Sequence, residues 1–86
     1  MQKWEPPVTE MQRLIAKLWS EILKVEVGKI GINNTFFEIG GDSMQAIRMM
    51  TKLQKELSIE LSLRDFYQDP SVRSLADYIE PKLIHV

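Results

Sequence analysis

Ser43 is the side chain whose sequence context most suggests covalent chemistry, because it closes the run Gly40-Gly41-Asp42-Ser43. A nucleophilic serine needs a base within hydrogen-bond reach, and the single histidine, His85, stands one residue from the C-terminus. The run also differs from the G-x-S-x-G turn of α/β-hydrolases, since Met44 follows the serine and no strand pattern precedes it. The sequence therefore gives no support to catalysis by Ser43, and we expect His85 to be a tail residue.

Other kinds of reactive site are equally poorly supported. The chain has no cysteine, which removes a protein thiol nucleophile, a thiolate zinc site and disulfides. No paired histidines or Asp-rich loop offer metal ligands, and the acidic residues are spread without a shared face. The Gly-Gly-Asp-Ser run is too short for a phosphate-binding loop and lacks its lysine. We predict a non-catalytic protein without a metal site.

Composition restricts the class of protein further. The 86 residues, 44% hydrophobic and 27% charged, fit one small domain that has little room for a deep substrate pocket. Eleven basic against twelve acidic residues give a net charge of -1, without the cationic excess that nucleic-acid binding requires. No apolar run approaches the length of a membrane span, and the first residues do not resemble a signal peptide. A soluble, cytoplasmic protein is the default expectation.

Three segments outside the Ser43 region carry helix signals. Thr9 and Gln12 match a capping box, and apolar residues recur at helical spacing from there to about Lys24. Ser62, with Asp65 three residues later, predicts a short helix over residues 63–67, which Pro70 would follow. Ser71 caps a last helix that extends to about Glu80 and is expected to stop at Pro81. With the helix that starts near Ser43, the sequence predicts an all-α fold: a small bundle of three main helices and one short helix.

The segments between and around these helices read as loop and linker. Residues 25–42 contain four glycines and Asn33-Asn34-Thr35, the composition of a long ordered loop. We expect its apolar side chains to hold it against the helices: Ile30, Ile32, Phe36, Phe37 and Ile39. Residues 1–8, with two consecutive prolines, predict an extended linker outside the fold. The expected domain is therefore 9–80, with linkers at 1–8 and 81–86.

The helix predicted from Ser43 to Leu57, with Asp42 or Ser43 as its cap, has two different faces. One is an ordinary core stripe at helical spacing, formed by Ala46, Met49, Met50, Leu53 and Leu57. The other lies beside Ser43 and combines apolar with polar side chains: Met44, Ile47, Arg48 and Thr51. Apolar residues away from a core need an explanation. Either the long loop covers them, or they contact a partner protein.

Two interpretations of Ser43 remain open from residue spacing alone. Serine very often only caps a helix, and the glycines would then permit a tight turn. However, Asp42 can cap equally well, which would leave Ser43 redundant in that role. Met44 and Ile47 beside it also favour a site over a purely structural helix start.

The segment NNTFFEIGGDSMQAIRMM resembles the phosphopantetheine attachment site of carrier proteins, and its Gly-Gly-Asp-Ser is similar to that of peptidyl carrier domains of nonribosomal peptide synthetases. The segments LIAKLWSEIL and LRDFYQDPSVRSLADYI also look like the corresponding parts of that family. The resemblance covers nearly the whole chain. It implies that Ser43 receives 4′-phosphopantetheine from coenzyme A through a separate transferase.

This resemblance gives the neighbouring residues expected roles. Gly40 and Gly41 form the site turn and leave the approach to Ser43 unobstructed, while Asp42 serves helix capping or the transferase and its metal. The helix start favours the attached phosphate through free N–H groups and partial positive charge. The absence of cysteine fits as well, because the thiol that carries an aminoacyl or peptidyl thioester belongs to the arm.

The resemblance also implies partners that grip the carrier beside the arm. The expected partners are the phosphopantetheinyl transferase and the adenylation and condensation domains of a synthetase, with epimerisation or thioesterase domains as further candidates. The residues predicted to contact them are Met44, Ile47, Arg48 and Thr51, with Phe66 and Tyr67 as second candidates, one of which we expect in the core. We expect the isolated chain to be monomeric.

Two other functions are kept as alternatives. An acyl carrier of a polyketide or hybrid synthase can carry the same Gly-Gly-Asp-Ser run. A fatty-acid carrier fits less well, because that type usually has an acidic second helix, whereas Arg48, Lys52 and Lys55 outnumber Glu56 here. An unmodified helical interaction module is the third possibility. The amino acid that is loaded is not encoded here, because in this family a different domain selects it.

Overall fold

The computed structural model describes residues 4–83 as a helical bundle. The main helices are α1, Glu10–Leu23, α2, Ser43–Leu57, and α4, Val72–Leu83, and the short helix is α3, Leu63–Gln68. A single 3₁₀ turn, Val27–Lys29, interrupts the loop between α1 and α2. Within residues 4–83 the only β pairing is an isolated bridge between Thr35 and Ser71. The predicted bundle of three main helices and one short helix is confirmed.

The helix starts follow from local sequence, as predicted. The Gln12 N–H donates to Thr9 Oγ1 at 3.0 Å and the Thr9 N–H donates to Gln12 Oε1 at 3.2 Å, which completes the capping box of α1. Ser62 and Ser71 accept from the N–H groups of Asp65 and Ser74 at the starts of α3 and α4. Each cap satisfies a backbone donor that has no partner inside its helix. None of the helices in the described part of the chain is long and apolar enough to cross a membrane.

An aromatic cluster forms the centre of the core. The ring of Trp19 on α1 meets the rings of Phe36 and Phe66 edge-to-face, with centroids 5.1 Å and 6.4 Å apart. All three side chains are buried. Edge-to-face contacts of this kind add roughly 0.5–1.5 kcal/mol each beyond the area they bury. Phe36 belongs to the long loop and Phe66 to α3, so the cluster joins both segments to α1.

The long loop between α1 and α2 is held by its apolar side chains, as predicted. Ile30, Ile32 and Phe36 are buried, and Phe37 and Ile39 are half-buried against the same core. Backbone hydrogen bonds add to this packing: the Phe36 N–H donates to the Pro70 carbonyl at 2.8 Å, and the Arg73 N–H donates to the Ile32 carbonyl at 2.9 Å. The loop is therefore fixed to the start of α4 as well as to α1.

The expectation that Pro81 stops the last helix is wrong, because α4 passes through Pro81 and ends at Leu83. Proline lacks the N–H that would bond the carbonyl of Asp77, four residues earlier. Pro81 and Asp77 are both exposed, so water can reach this side of the helix. The free-energy cost of losing one hydrogen bond in the final turn is small enough for the helix to continue. His85, also expected to lie in the tail, falls outside the described residues.

Residues 4–8, the described part of the N-terminal arm, form no helix or strand, and they are tied to the domain. The Ile32 N–H donates to the Glu5 carbonyl at 2.8 Å, and the Glu5 carboxylate accepts from Asn33 Nδ2 at 2.9 Å and from Arg73 at 3.3 Å. The expectation that the arm lies outside the fold is thus wrong at Glu5. These partners are distant in sequence, so no local pattern indicated them. The domain limits at residues 9 and 80 stay a prediction.

Truncation at the core and at the start of α2 should have very different effects on stability. Leu53→Ala removes a fully buried side chain and should lower the free energy of unfolding by roughly 2–5 kcal/mol. Ser43→Ala changes an exposed residue that is not the cap of its helix and should cost no more than about 0.5 kcal/mol. Urea denaturation followed by circular dichroism measures both. The reverse order of stabilities would mean that the core face of α2 is assigned incorrectly.

Candidate functional site

Ser43 is the first residue of α2, and Asp42 is the residue that caps the helix. The Asp42 carboxylate accepts the Gln45 N–H at 2.8 Å, while the Asp42 N–H donates to Gln45 Oε1 at 3.0 Å. The predicted capping role of Asp42 is confirmed. Because this reciprocal pair completes the cap, the Ser43 hydroxyl is not needed to stabilise the helix, and Ser43 is exposed.

Gln45 is not among the residues predicted for the site, although the sequence contains the signal for it. A cap residue followed three positions later by Gln or Glu is the pattern of a capping box. Asp42 and Gln45 have that spacing, as Thr9 and Gln12 do at the start of α1. The structure shows that Gln45 fixes the turn directly before Ser43.

The start of α2 also has donors available for an anion. The first N–H groups of a helix have no partner within it, and here the cap satisfies that of Gln45 while the Ala46 N–H bonds the Asp42 carbonyl. The N–H groups of Ser43 and Met44 make no hydrogen bond to any described residue. Together with the helix dipole they suit a phosphate bonded to the Ser43 oxygen. The residues present therefore fit a phosphodiester at Ser43.

Both positions of the site turn require glycine, Gly40 because of its backbone conformation and Gly41 because of its close packing. Gly40 has φ of +111°, a conformation that L side chains rarely adopt. Gly41 has a different reason, because a Cβ atom there would lie 2.3 Å from the ring of Phe36. From the family resemblance, we expected these glycines to leave the approach to Ser43 open. The structure shows in addition that Gly41 lets the turn pack directly on a buried core ring.

The predicted division of α2 into two faces is confirmed. Its core side consists of four buried residues, Ala46, Met49, Met50 and Leu53, with Leu57 half-buried at the end. Met44 and Ile47 on the other side are 63% and 45% exposed. Arg48 and Thr51 are exposed as well. The long loop does not cover the two apolar residues, so loop packing does not explain why they are apolar.

The pair Phe66 and Tyr67, expected to include one core residue, is divided between core and surface. Phe66 is 2% exposed and packs against Trp19, so its assignment as a partner contact is wrong. The helix turn that brings the Phe66 ring to the core points its neighbour outwards, and Tyr67 is 41% exposed. Phe37 stacks on the Tyr67 ring with centroids 5.7 Å apart. From the sequence, we expected Phe37 only to hold the long loop against the helices.

These observations describe a small helical bundle that presents an exposed hydroxyl at a helix start. In the part of the chain that the structure describes, no cluster of three or more His, Asp and Glu side chains could hold a metal ion. The arrangement has the features of a carrier domain. Residues 13–79 match the family described as a phosphopantetheine attachment site, and the chain belongs to that family. The group predicted for this site, 4′-phosphopantetheine, is the one for which this family provides the attachment site.

Known relatives agree with this assignment. The chain is 40% identical to Bacitracin synthase 3 of Bacillus licheniformis over 77 residues, which are 90% of this chain and 1% of that protein. The structure of McyG A-PCP complexed with phenylalanyl-adenylate matches 91% of this chain and 12% of that chain, at 35% identity and a TM-score of 0.84.

A second solved structure contains a carrier of the same size. It is that of the phosphopantetheine transferase Sfp in complex with coenzyme A and a peptidyl carrier protein, which matches 91% of this chain and 99% of that chain at 28% identity and a TM-score of 0.85. The non-catalytic, helical carrier predicted from the sequence is thereby confirmed. The chain spans only a small part of the synthase that it matches.

The close packing of Gly41 on Phe36 can be tested by adding one methyl group. Gly41→Ala should lower the free energy of unfolding by roughly 1–3 kcal/mol, because the Cβ overlaps a ring that the core holds in place. Thermal and urea unfolding measure the effect. Gly28→Ala is the matched control, since nothing lies within 4 Å of its Cβ position. Equal stabilities of the two variants would contradict the packing described for the site turn.

Proposed function

We propose that Ser43 is the attachment site of 4′-phosphopantetheine and that the chain is a peptidyl carrier domain of a nonribosomal peptide synthetase. The observation that carries the proposal is an exposed serine at the first position of α2, where two backbone N–H groups have no partner among the described residues. The cap by Asp42 and Gln45 leaves the Ser43 hydroxyl free for modification.

Each residue of the site has a part in this proposal. The Ser43 oxygen loses its proton and forms the ester bond to phosphate as the pyrophosphate bond of coenzyme A breaks and adenosine 3′,5′-bisphosphate leaves. The Ser43 and Met44 N–H groups face the negative charge that the phosphate brings. Asp42 fixes the helix start through Gln45, and its exposed carboxylate is also available to the transferase and its metal. When attached, the arm supplies the thiol on which aminoacyl and peptidyl groups are carried as thioesters. The chain itself has no cysteine that could replace this thiol.

The relatives support a peptide synthetase over the alternatives. Bacitracin synthase 3 is one of several peptide synthases among them, and the McyG A-PCP structure is complexed with phenylalanyl-adenylate. We infer that adenylation and condensation domains are the partners of this chain, with epimerisation or thioesterase domains as further ones. A polyketide or hybrid synthase is the second candidate, because its carriers can have the same Gly-Gly-Asp-Ser run. Loading from coenzyme A makes a cytoplasmic location part of the proposal.

The exposed side of α2 is the proposed contact surface for these partners. It places Met44 and Ile47 beside Ser43, with Arg48 and Thr51 on the same side of the helix. Tyr67 on α3 is the remaining candidate, whereas Phe66 is excluded by its burial. Methionine suits a surface that meets several partners in turn, because its flexible side chain repacks easily.

Loading of the arm is tested by intact mass. Incubation with coenzyme A and the transferase Sfp should add one phosphopantetheine to the protein, and Ser43→Ala should add none because the accepting oxygen is absent. The control is Ser58→Gly, which removes another exposed hydroxyl and suits the left-handed backbone at that position, where φ is +54°. This variant should load like the parent. An arm that maps to any other hydroxyl would contradict the proposal.

The proposed contact surface predicts a loss of function without a loss of stability. Ile47→Ala should change the free energy of unfolding by no more than about 0.5 kcal/mol, because the side chain is exposed. A central apolar contact often contributes more than about 1 kcal/mol at an interface, so aminoacylation of the loaded protein by its adenylation domain should slow by about fivefold or more. Aminoacylation kinetics and urea denaturation measure the two effects.

Val27→Ala is the matched control for Ile47→Ala. Val27 is also apolar and 49% exposed, but it lies in the 3₁₀ turn between α1 and α2 and not on the proposed surface. It should leave both aminoacylation and stability nearly unchanged. If both variants slowed aminoacylation to the same extent, the effect of Ile47→Ala could not be assigned to contact at α2.

A further inference from the structure

The exposed face of α2 carries a row of positive charges. Arg48, Lys52 and Lys55 are all exposed, and none of them makes an ion pair with any described residue. At 100° per residue they fall within about 60° of one another around the helix. The one acidic residue of α2, Glu56, lines a shallow groove with Leu14 and Leu18 of α1, and so lies away from the centre of this basic row.

The excess of positive charge is confined to α2 among the described helices. The other three helices each carry equal numbers of acidic and basic residues, whereas α2 carries three basic residues and one acidic residue. The whole chain has a net charge of -1. The basic row is therefore a local feature of α2 and not part of a generally cationic surface.

The basic row also adjoins the exposed apolar residues of the helix. Met44 lies at the border of the row, and Ile47 lies beyond it on the side nearer Ser43. Protein interfaces combine an apolar centre with a polar rim, and Arg and Met are enriched in them. Charges at the rim act chiefly by attracting a complementary partner and by setting the salt dependence of association.

We propose that Arg48, Lys52 and Lys55 form a docking rim for a protein partner whose matching surface is acidic beside an apolar patch. The proposal rests on the proposed carrier function and specifies the surface chemistry of the adenylation domain that aminoacylates the attached arm. Nucleic acid is a poorer fit, because the chain as a whole is slightly acidic and the basic row includes only three cations. The exposed apolar side chains beside the row favour a protein surface.

The test is aminoacylation of the loaded carrier by the adenylation domain of its own synthetase, measured by intact mass over a range of NaCl concentrations. The triple variant Arg48→Gln, Lys52→Gln and Lys55→Gln removes the basic row and keeps residues that favour a helix. The control variant removes the same amount of charge elsewhere: Arg13→Gln, Lys24→Gln and Lys29→Gln. Loading with coenzyme A and the transferase Sfp is measured first for all three proteins.

Without the basic row, kcat/KM should fall by about three- to tenfold at low salt, and this difference should disappear near 0.5 M NaCl, where salt screens the attraction. The control variant should remain within about twofold of the parent, because its three charges lie on α1, at its C-cap and in the 3₁₀ turn and not on α2. Equal effects of both variants, or a faster reaction without the basic row, would overturn the proposal. Binding of a DNA duplex that depends on the basic row and is tighter than binding of the adenylation domain would overturn it too.

These outcomes can be separated from failure of the proposed function. If the parent protein did not accept the arm at Ser43, the carrier proposal itself would fail before any aminoacylation is measured. If all three proteins accept the arm and share the same salt dependence of kcat/KM, only the docking rim is contradicted.

Discussion

The burial of Phe36 is the contact on which the position of the site depends. Its ring packs edge-to-face against Trp19 of α1. The backbone of Gly41 lies so close to the same Phe36 ring that there is no room for a side chain at position 41. The Gly41 N–H also bonds the Phe36 carbonyl at 3.0 Å. One loop residue thus joins the core to the turn that ends at Asp42. Because Ser43 follows that turn, the core determines where the Ser43 hydroxyl is presented.

The two faces of α2 link this packing to function. One face buries Met49 and Leu53 and holds the helix rigidly on the core. The other exposes Met44 and Ile47 next to the proposed attachment site, and a row of basic side chains lies further around the helix. A modified serine on a rigid helix can be presented to several enzymes in the same geometry, while the flexible side chains around it adapt to each surface.

Sequence predicted the parts of the fold that depend on local interactions. Caps at Thr9 and Asp42 and the two faces of α2 follow from residue types a few positions apart, so they could be identified without coordinates. Glu5 could not, because its partner Arg73 is distant in sequence. Phe66 and Tyr67 are adjacent in a helix too short to show a clear periodicity, and the choice between them depended on where Trp19 lies.

We propose that the core-anchored turn presents Ser43 together with two N–H groups, without a partner among the described residues, that receive the phosphate. Amide ¹H–¹⁵N NMR spectra recorded before and after loading of the arm test it directly. The largest shifts are expected at the Ser43 and Met44 amides, with the Trp19 indole resonance unchanged because the core does not rearrange. Loading that left both amides unaffected, or that shifted core resonances as strongly, would contradict this account.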